Sequence, residues 1–106
     1  MTARDASAPP LTWEVVRGWL EASKYYWVVT TRVDGRPHAR PVWGLWLEPR
    51  FHFTMSPETV MARNIAATRY AAVHPESAVN VVIVEGTVQR TEGQALAEAG
   101  DAYEAK

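Results

Sequence analysis

The sequence has no cysteine among its 106 residues. This absence excludes disulfide bonds, thiolate metal sites and cysteine catalysis together. The sequence also has no apolar run as long as a membrane span, and no apolar core near its N-terminus of the kind that marks a secretory signal. We therefore expect a cytoplasmic protein that does not associate with membranes.

The chain also lacks a strong excess of charge of either sign. It has 11 Lys and Arg residues against 12 Asp and Glu residues, so its formal net charge is −1. The basic residues are spread along the chain, and we expect no nucleic-acid partner. The three histidines, His38, His52 and His74, fall on three different predicted strands without metal-binding spacing, and we predict no metal site.

The length and composition indicate one small globular domain. Hydrophobic residues make up 47% of the chain and charged residues 22%, which is ordinary for a folded protein. We interpret residues 1–11 as a flexible leader and residues 12–106 as a single domain. The five Trp and four Tyr residues are many for this size, and they either fill the core or line a pocket or a subunit interface.

The most informative stretch covers residues 25–47 and has two β-rich arms around Asp34-Gly35. This dipeptide favours a two-residue turn with positive φ at both positions, which predicts a long β-hairpin. Pro37 and Pro41 in the returning arm cannot donate to a sheet, so we expect this arm to be an edge or to be bulged. Alternation predicts a core face on the same arm, formed by Pro37, Ala39, Pro41, Trp43, Leu45 and Leu47.

The remaining elements follow from capping residues and apolar patterns. Helices are predicted over residues 13–22, from Ser56-Pro57 to about Thr68, and after a capping box at 91–94. Strands are predicted over 51–55, 70–74 and 79–90, and the last is so apolar that we expect it to be central. Five strands and three helices without βαβ alternation predict a mainly β protein, an antiparallel barrel or curved sheet with flanking α-helices.

The junction between the third strand and the second helix is the first candidate for a binding site. A helix N-terminus presents unpaired N–H groups and a positive dipole end, which hydroxyls of Thr54, Ser56 and Thr59 could join. Arg63 lies one turn further on, and Arg40 could approach from the neighbouring strand. Together these groups would form a phosphate site. The alternative is that Ser56 only caps the helix and the arginines are solvated.

Five short segments carry a family resemblance through their order and spacing. They are Val28–Gly44 with its Asp-Gly turn, Phe51–Ser56, Ala62–Ile65, Ala71–Glu76 and Val81–Val88. This order resembles the pyridoxamine 5'-phosphate oxidase-like split-barrel family, and most of all its small members that bind FMN or the deazaflavin coenzyme F-420. The resemblance covers about residues 13–105, which is nearly the whole chain.

The resemblance implies a Greek-key-like, six-stranded split β-barrel that pairs into a homodimer with its cofactor sites at the subunit interface. In such relatives, the strand after the Asp-Gly turn and the next strand-to-helix junction hold the cofactor phosphate. Carried over by position, Arg40 is the strand arginine, and Pro41, Val42 and Trp43 lie along the isoalloxazine. The resemblance places Thr54, Met55 and Ser56 at the strand end near the phosphate, with Thr59 beside them. It places Asn80 and Val81 near a partner-subunit contact.

Two features depart from the family pattern. Relatives usually place basic residues just before the Ala62–Ile65 segment to clamp the phosphate, whereas this chain has Val60 and Met61, which cannot pair with a phosphate. Arg63 is the candidate substitute. Relatives also continue past the final helix into a last barrel strand, whereas this sequence ends at Lys106, so we expect either a truncated chain or an incomplete barrel in which that strand is absent.

These observations predict a flavin- or deazaflavin-dependent oxidoreductase that acts on a small-molecule substrate, with FMN as the first candidate cofactor and coenzyme F-420 as its alternative. The cofactor would carry the redox chemistry, so few catalytic side chains are needed. The competing interpretation is a non-enzymatic ligand- or haem-binding dimeric split barrel with a degenerate phosphate site, in which one of the three histidines would be the haem ligand.

Overall fold

The computed structural model describes residues 11–106, so residues 1–10 of the expected leader lie outside it. Its elements in chain order are α1 (Trp13–Ala22), β1 (Tyr25–Thr31), β2 (Pro37–Leu47), β3 (Arg50–Phe53), α2 (Val60–Thr68), β4 (Tyr70–Pro75), β5 (Val84–Thr87) and α3 (Gly93–Ala105). The strands form one antiparallel sheet in the order β3-β2-β1-β4-β5. This sheet curls into a half-barrel flanked by the three helices.

The strand order confirms a mainly β, split-barrel-like fold with Greek-key connectivity. Three consecutive strands, β1 to β3, pair in sequence, and β4 then returns to lie beside β1. The described residues hold five strands, one fewer than the resemblance implies. Within that range, no helix has the length and apolar character needed to cross a lipid bilayer.

The turn between β1 and β2 differs from the expected two-residue form. The N–H of Gly35 donates to the carbonyl of Arg32 at 2.8 Å, and the N–H of Arg32 donates to the carbonyl of Arg36 at 2.8 Å. Of the turn residues, only Gly35 is left-handed, with φ of 91°. Asp34 instead accepts a hydrogen bond from the N–H of Arg36 at 3.1 Å. The two-residue prediction was wrong because a three-residue loop needs positive φ only at its last position.

The core lies on one face of the sheet, which we call the inner face, between the strands and α2. Tyr26 and Val28 of β1 have no exposed surface, and Met61 and Ile65 of α2 are 1% and 6% exposed. Val42 of β2 belongs to the same cluster. Burying a side chain of this size contributes about 1.5–3 kcal/mol to the free energy of unfolding, so this cluster is the main source of stability.

The inner face of β2 is opposite to the core face that was predicted. Val42 and Gly44 are buried, whereas Trp43, on the predicted core face, is 56% exposed. Pairing explains the outcome, because Val42 lies directly across from Tyr26 and shares its face of the sheet. Leu45, also on the predicted face, is nevertheless buried. Both faces of β2 carry apolar residues, so the alternation in the sequence showed which residues share a face but not which face is buried.

Helix α2 begins later in the chain than predicted. Thr59, rather than Ser56, is the N-cap, and its hydroxyl accepts a hydrogen bond from the N–H of Ala62 at 3.1 Å. Ser56 and Pro57 lie in a preceding turn, which is closed by a 3.2 Å bond from the N–H of Thr59 to the carbonyl of Ser56. The hydroxyl of Ser56 donates to the carboxylate of Glu58 instead of capping the helix.

The other two helices contrast in how they begin. Thr12 caps α1 as predicted, since its hydroxyl accepts a hydrogen bond from the N–H of Val15 at 3.3 Å. The capping box predicted for α3 does not form, because Glu92 is the N-cap and makes no side-chain bond there. Gly93, the first residue of α3, follows it with a left-handed φ of 63°. The helix therefore begins after Glu92, and Thr91 does not cap it.

The long apolar strand predicted near the C-terminus is short and lies at an edge of the sheet rather than at its centre. β5 covers only Val84–Thr87, and among the described strands it pairs with β4 alone. The pairing with β4 begins at Val84, so the residues just before β5 are outside the ladder. Their apolar side chains are consequently exposed, at 90% for Val79, 52% for Val81 and 56% for Ile83. We call these three residues the exposed run.

Candidate functional site

A groove runs along the free edge of β2, beside the start of α2 and the last turn of α3. The first half of β2 pairs only with β1 among the described strands, because β3 begins to pair at Gly44. Pro37 and Pro41 lie in this half, which confirms the predicted edge. The groove has a volume of about 430 Å³, a size usual for small-ligand sites. It is lined by Arg40, Pro41, Val42, Trp43, Thr54, Met55, Ser56, Thr59, Met61 and Tyr103.

Eight of the eleven residues predicted to bind a cofactor line this groove. They come from three separate segments, namely β2, the loop after β3 and the N-cap of α2. The other three lie elsewhere: Arg63 is exposed on α2, and Asn80 and Val81 are exposed in the loop before β5. Asn80 contributes instead to a smaller cavity of about 310 Å³ beside the end of α1.

Two groove residues were not in the predicted set. Met61 is 1% exposed and forms part of the buried side of the groove, whereas the resemblance pointed to it as the place of a missing phosphate ligand. Its spacing of four from the buried Ile65 is the signal that could have placed it, since such pairs share a helix face. Tyr103 enters from the last turn of α3. Its position depends on how α3 crosses β2, and no local sequence signal predicts that.

One wall of the groove is apolar and aromatic. The indole of Trp43 is half-exposed and packs edge-to-face on Tyr25, with ring centroids 6.1 Å apart. The ammonium of Lys24 lies 5.3 Å from the centroid of the same indole. Met55 adds a flexible, partly exposed thioether. These side chains provide a surface suited to a planar aromatic ring.

Arg40 is the cationic side chain among the groove residues. It is exposed, and within residues 11–106 it takes part in no ion pair. A guanidinium presents five donors in a planar fork that matches the oxygens of a phosphate or a carboxylate. Arg40 is therefore available to an anionic ligand group.

The hydroxyls at the strand-to-helix junction are mostly engaged within the protein. The hydroxyl of Ser56 donates to Glu58, and the hydroxyl of Thr59 donates to the carbonyl of Ser56 at 2.9 Å while it accepts from Ala62. Among the described residues, the hydroxyls of two groove residues, Thr54 and Tyr103, have no hydrogen-bond partner. The bond from Ser56 lowers the pKa of the Glu58 carboxyl, so this group is charged at neutral pH.

The three histidines do not converge, because His38, His52 and His74 lie on β2, β3 and β4. None of them lines the groove. Across the described part of the chain, no group of three or more His, Cys, Asp or Glu side chains is placed to hold a metal ion. Burial and the neighbouring charge of Arg50 lower the pKa of His52.

The curled antiparallel sheet, its Greek-key order and the groove at the free edge of β2 define a split-barrel protein. The family model of pyridoxamine 5'-phosphate oxidase matches residues 12–106. The chain therefore belongs to the pyridoxamine 5'-phosphate oxidase-like family. No curated protein matches the sequence.

Three solved structures resemble the chain. An F420 reductase is 25% identical with a TM-score of 0.67, over 91% of this chain and 79% of that one. A haem-binding protein from Mycobacterium smegmatis is 24% identical with a TM-score of 0.76, over 90% of this chain and 43% of that one. A protein of unknown function from Agrobacterium tumefaciens is 20% identical with a TM-score of 0.70, over 96% of this chain and 50% of that one. This chain spans half or less of the last two proteins, and their likeness shows the fold alone.

Proposed function

We propose that the protein is a homodimeric flavin- or deazaflavin-dependent oxidoreductase that acts on a small-molecule substrate. FMN is the first candidate cofactor and coenzyme F-420 the alternative. Family membership supports this proposal, and the F420 reductase among the similar structures supports the alternative cofactor. Fold alone is a poor guide to chemistry, so the argument depends on the groove.

The observation that carries the proposal is the convergence of eight residues on one groove. These positions were chosen from a resemblance, and they come from two separate stretches of the chain, residues 40–43 and 54–59. Their convergence on one concave surface of suitable volume supports a binding site here. The free edge of β2 is therefore the place where we propose that the cofactor binds.

The groove fits a flavin ring better than it fits a phosphate. Pro41, Val42 and Trp43 would lie along the isoalloxazine, and Met55 would lie at the strand end near the phosphate. Arg40 and the hydroxyl of Thr54 would hold the phosphate end. A bound flavin or deazaflavin supplies the redox chemistry itself, so this chain has to bind and orient the ring and exclude water.

The homodimer is supported by apolar surface that the single chain leaves uncovered. Trp27 is 38% exposed on the outer face of β1, and Trp43 on β2 is more exposed still. The exposed run beside β5 adds further apolar surface, and surfaces of this kind mark protein–protein interfaces. A partner over this face would also enclose the open side of the groove. Light scattering should give twice the chain mass of 11.9 kDa, and a monomer mass would remove the interface part of the proposal.

A second candidate is a non-enzymatic dimer that binds haem or another ligand. The observation that favours it is the weak phosphate end of the groove, where Val60 and Met61 replace the family cations and Met61 is buried. In that case the same groove would hold a ligand without providing a redox reaction.

An absorbance spectrum of the purified protein, followed by titration with FMN, coenzyme F-420 and haem, separates the two candidates. Saturable binding of FMN or the deazaflavin supports the oxidoreductase, and a Soret band supports the haem protein. Arg40→Ala should weaken FMN binding about tenfold, the usual cost of a charge-assisted contact. His52→Ala, outside the groove, should leave it nearly unchanged. Equal effects of the two variants, or no binding by a folded dimer, would contradict the oxidoreductase proposal.

A further inference from the structure

The last turn of α3 forms one wall of the groove through Tyr103. This side chain is 38% exposed and lines the groove, and its hydroxyl has no hydrogen-bond partner among the described residues. An aromatic ring with a free hydroxyl can pack against a planar ligand and can also donate a hydrogen bond to it or accept one from it. This wall exists only while α3 stays against the sheet.

Apolar packing holds α3 only lightly. Among the α3 side chains whose burial the structure describes, Ala99 is the one that is buried, and Leu96 is 56% exposed. An alanine side chain is a single methyl group, so the apolar area that it removes from water is small. The end of α3 that carries Tyr103 therefore depends on polar contacts for its position.

Lys106, the C-cap of α3, makes these polar contacts with the sheet. Its ammonium donates to the hydroxyl of Tyr26 and to the carbonyl of Gly44, both at 2.9 Å. It also lies 4.9 Å from the centroid of the Tyr26 ring. Hydrogen bonds from a charged donor are stronger than those between neutral groups. They attach the end of α3 to the neighbouring strands β1 and β2.

Both acceptors are well fixed in the fold. Tyr26 has no exposed surface, and its hydroxyl reaches carbonyls at the C-terminal end of α1. Because its proton is directed to those carbonyls, its oxygen is left to accept the bond from Lys106. Gly44 is buried where β3 begins to pair with β2, and it directly follows Trp43, another groove residue. The end of α3 is thus attached right beside the groove.

Lys106 is linked to Tyr103 as well as to the sheet. The N–H of Lys106 donates to the carbonyl of Tyr103 at 3.2 Å. Ala99, Tyr103 and Lys106 are spaced by four and three residues, a spacing that places side chains on one side of a helix. Lys106 itself does not line the groove.

We infer that Lys106 is a positioning residue of the proposed flavin site, and that it holds Tyr103 in the groove wall by attaching the last turn of α3 to Tyr26 and Gly44. This inference rests on the proposed flavin- or deazaflavin-binding function and adds one wall to that site. Tyr103 is the residue that touches the ligand, and Lys106 acts on ligand affinity through it. Loss of the ammonium frees the end of α3 without removing any group from the groove.

The test is a double-mutant cycle read by titration with FMN, or with coenzyme F-420 if FMN does not bind. Lys106→Met keeps a long side chain without the ammonium and should weaken ligand binding about fivefold. Tyr103→Ala should weaken it at least as much. The double variant should bind like Tyr103→Ala alone, because Lys106 has no wall residue left to position.

A control variant and a second measurement separate positioning from general damage. Asp101→Asn also changes one charge on an exposed residue of α3 and should leave ligand binding unchanged. Amide hydrogen exchange without ligand should become faster in the last turns of α3 in Lys106→Met, while exchange in α2 stays the same. This measurement does not depend on which ligand binds.

The outcomes distinguish this inference from the proposed function. Equal losses of affinity from Lys106→Met with and without Tyr103 would overturn the inference, since they would show that Lys106 does not act through Tyr103. Unchanged affinity, or unchanged exchange in α3, would overturn it too, and each would leave the flavin function in place. Failure of the unchanged protein to bind FMN or coenzyme F-420 would overturn the proposed function, and with it the ligand part of the inference. Hydrogen exchange would still decide whether Lys106 holds α3.

Discussion

β1 presents two apolar faces that the fold treats in opposite ways. On the inner face Tyr26 and Val28 have no exposed surface, and on the outer face their neighbours Tyr25 and Trp27 are 42% and 38% exposed. Composition does not distinguish the two faces, since each has an aromatic residue near its start. The difference is that α2 packs over the inner face, where its residues Met61 and Ile65 belong to the core cluster.

Polar groups follow the same division. On the inner face, the hydroxyl of Tyr26 reaches the carbonyls of Leu20 and Ser23, and the amide of Asn64 donates to the hydroxyl of Thr30 at 3.0 Å. Burial raises the pKa of Tyr26 to about 12, with the negative charge of Glu21 as the smaller cause. Buried polar groups require such partners, whereas exposed groups can bond to water. The inner face is therefore the more sensitive of the two to substitution.

The largest contrast is expected between two methionines of the groove. Met61→Ala should lower the free energy of unfolding by about 2–5 kcal/mol, because it opens a cavity in a nearly fully buried position. Met55→Ala, at a position that is 38% exposed, should cost much less. Urea unfolding of both variants at one protein concentration measures the difference. Similar losses would mean that the groove side of Met61 is not part of the core.

A smaller contrast is expected between two glycines. A Cβ on Gly44 would lie 2.1 Å from Cζ of Phe51, so Gly44→Ala should cost about 1–3 kcal/mol of unfolding free energy. Gly18→Ala in α1 meets no atom within 4 Å and should be neutral or stabilising, since alanine favours a helix. Thermal unfolding of the two variants provides the measurement. An unchanged midpoint for Gly44→Ala would show that Phe51 moves freely, against the packing described here.

Two adjacent threonines of β1 test the division between the faces directly. Thr30→Val should cost about 1 kcal/mol, because it leaves the buried amide of Asn64 without its partner. Thr31→Val points to the outer face and should change the free energy of unfolding little. Chemical denaturation compares them. A larger loss for Thr31→Val would indicate that the outer face is the one more tightly covered in solution.

The smallest effect concerns pH and His52 on β3. Its pKa in the folded chain is below the ordinary value of 6.5, so the unfolded chain binds more protons as the pH falls past 6.5. The corresponding stability is present above pH 6.5 and is lost as the pH falls through the folded pKa. His52→Gln should reduce the loss of stability between about pH 7 and about pH 5, measured as a shift in the urea midpoint. An identical pH dependence in the variant would exclude His52 as the cause.

Local signals predicted most elements because their causes are local. Thr12 sits where a side-chain oxygen can cap α1, and the prolines of β2 lie where no ladder donor is needed. Local signals gave the wrong residue where two nearby residues could play the same role. Ser56 and Thr59 are both good caps, and the bond of Ser56 to Glu58 leaves the role to Thr59.

The candidate site also contains residues that the sequence predicted and residues that it did not. The resemblance named eight of the groove residues, because the order of segments identifies the family and the family implies where a ligand lies. It did not name Tyr103, whose position depends on how α3 crosses β2 in the folded chain.

The sequence by itself determined the order of strands and helices, the antiparallel connectivity and the family, since these follow from periodicity, turn residues and segment order. The tertiary structure decided which apolar face became the core, where the exposed run came to lie and which hydroxyls were left for a ligand. The physical reason is that burial and hydrogen bonding depend on what packs against a residue. Trp43 and Val42 are neighbours in the chain and both apolar, yet α2 covers the face of Val42 and leaves Trp43 at the mouth of the groove.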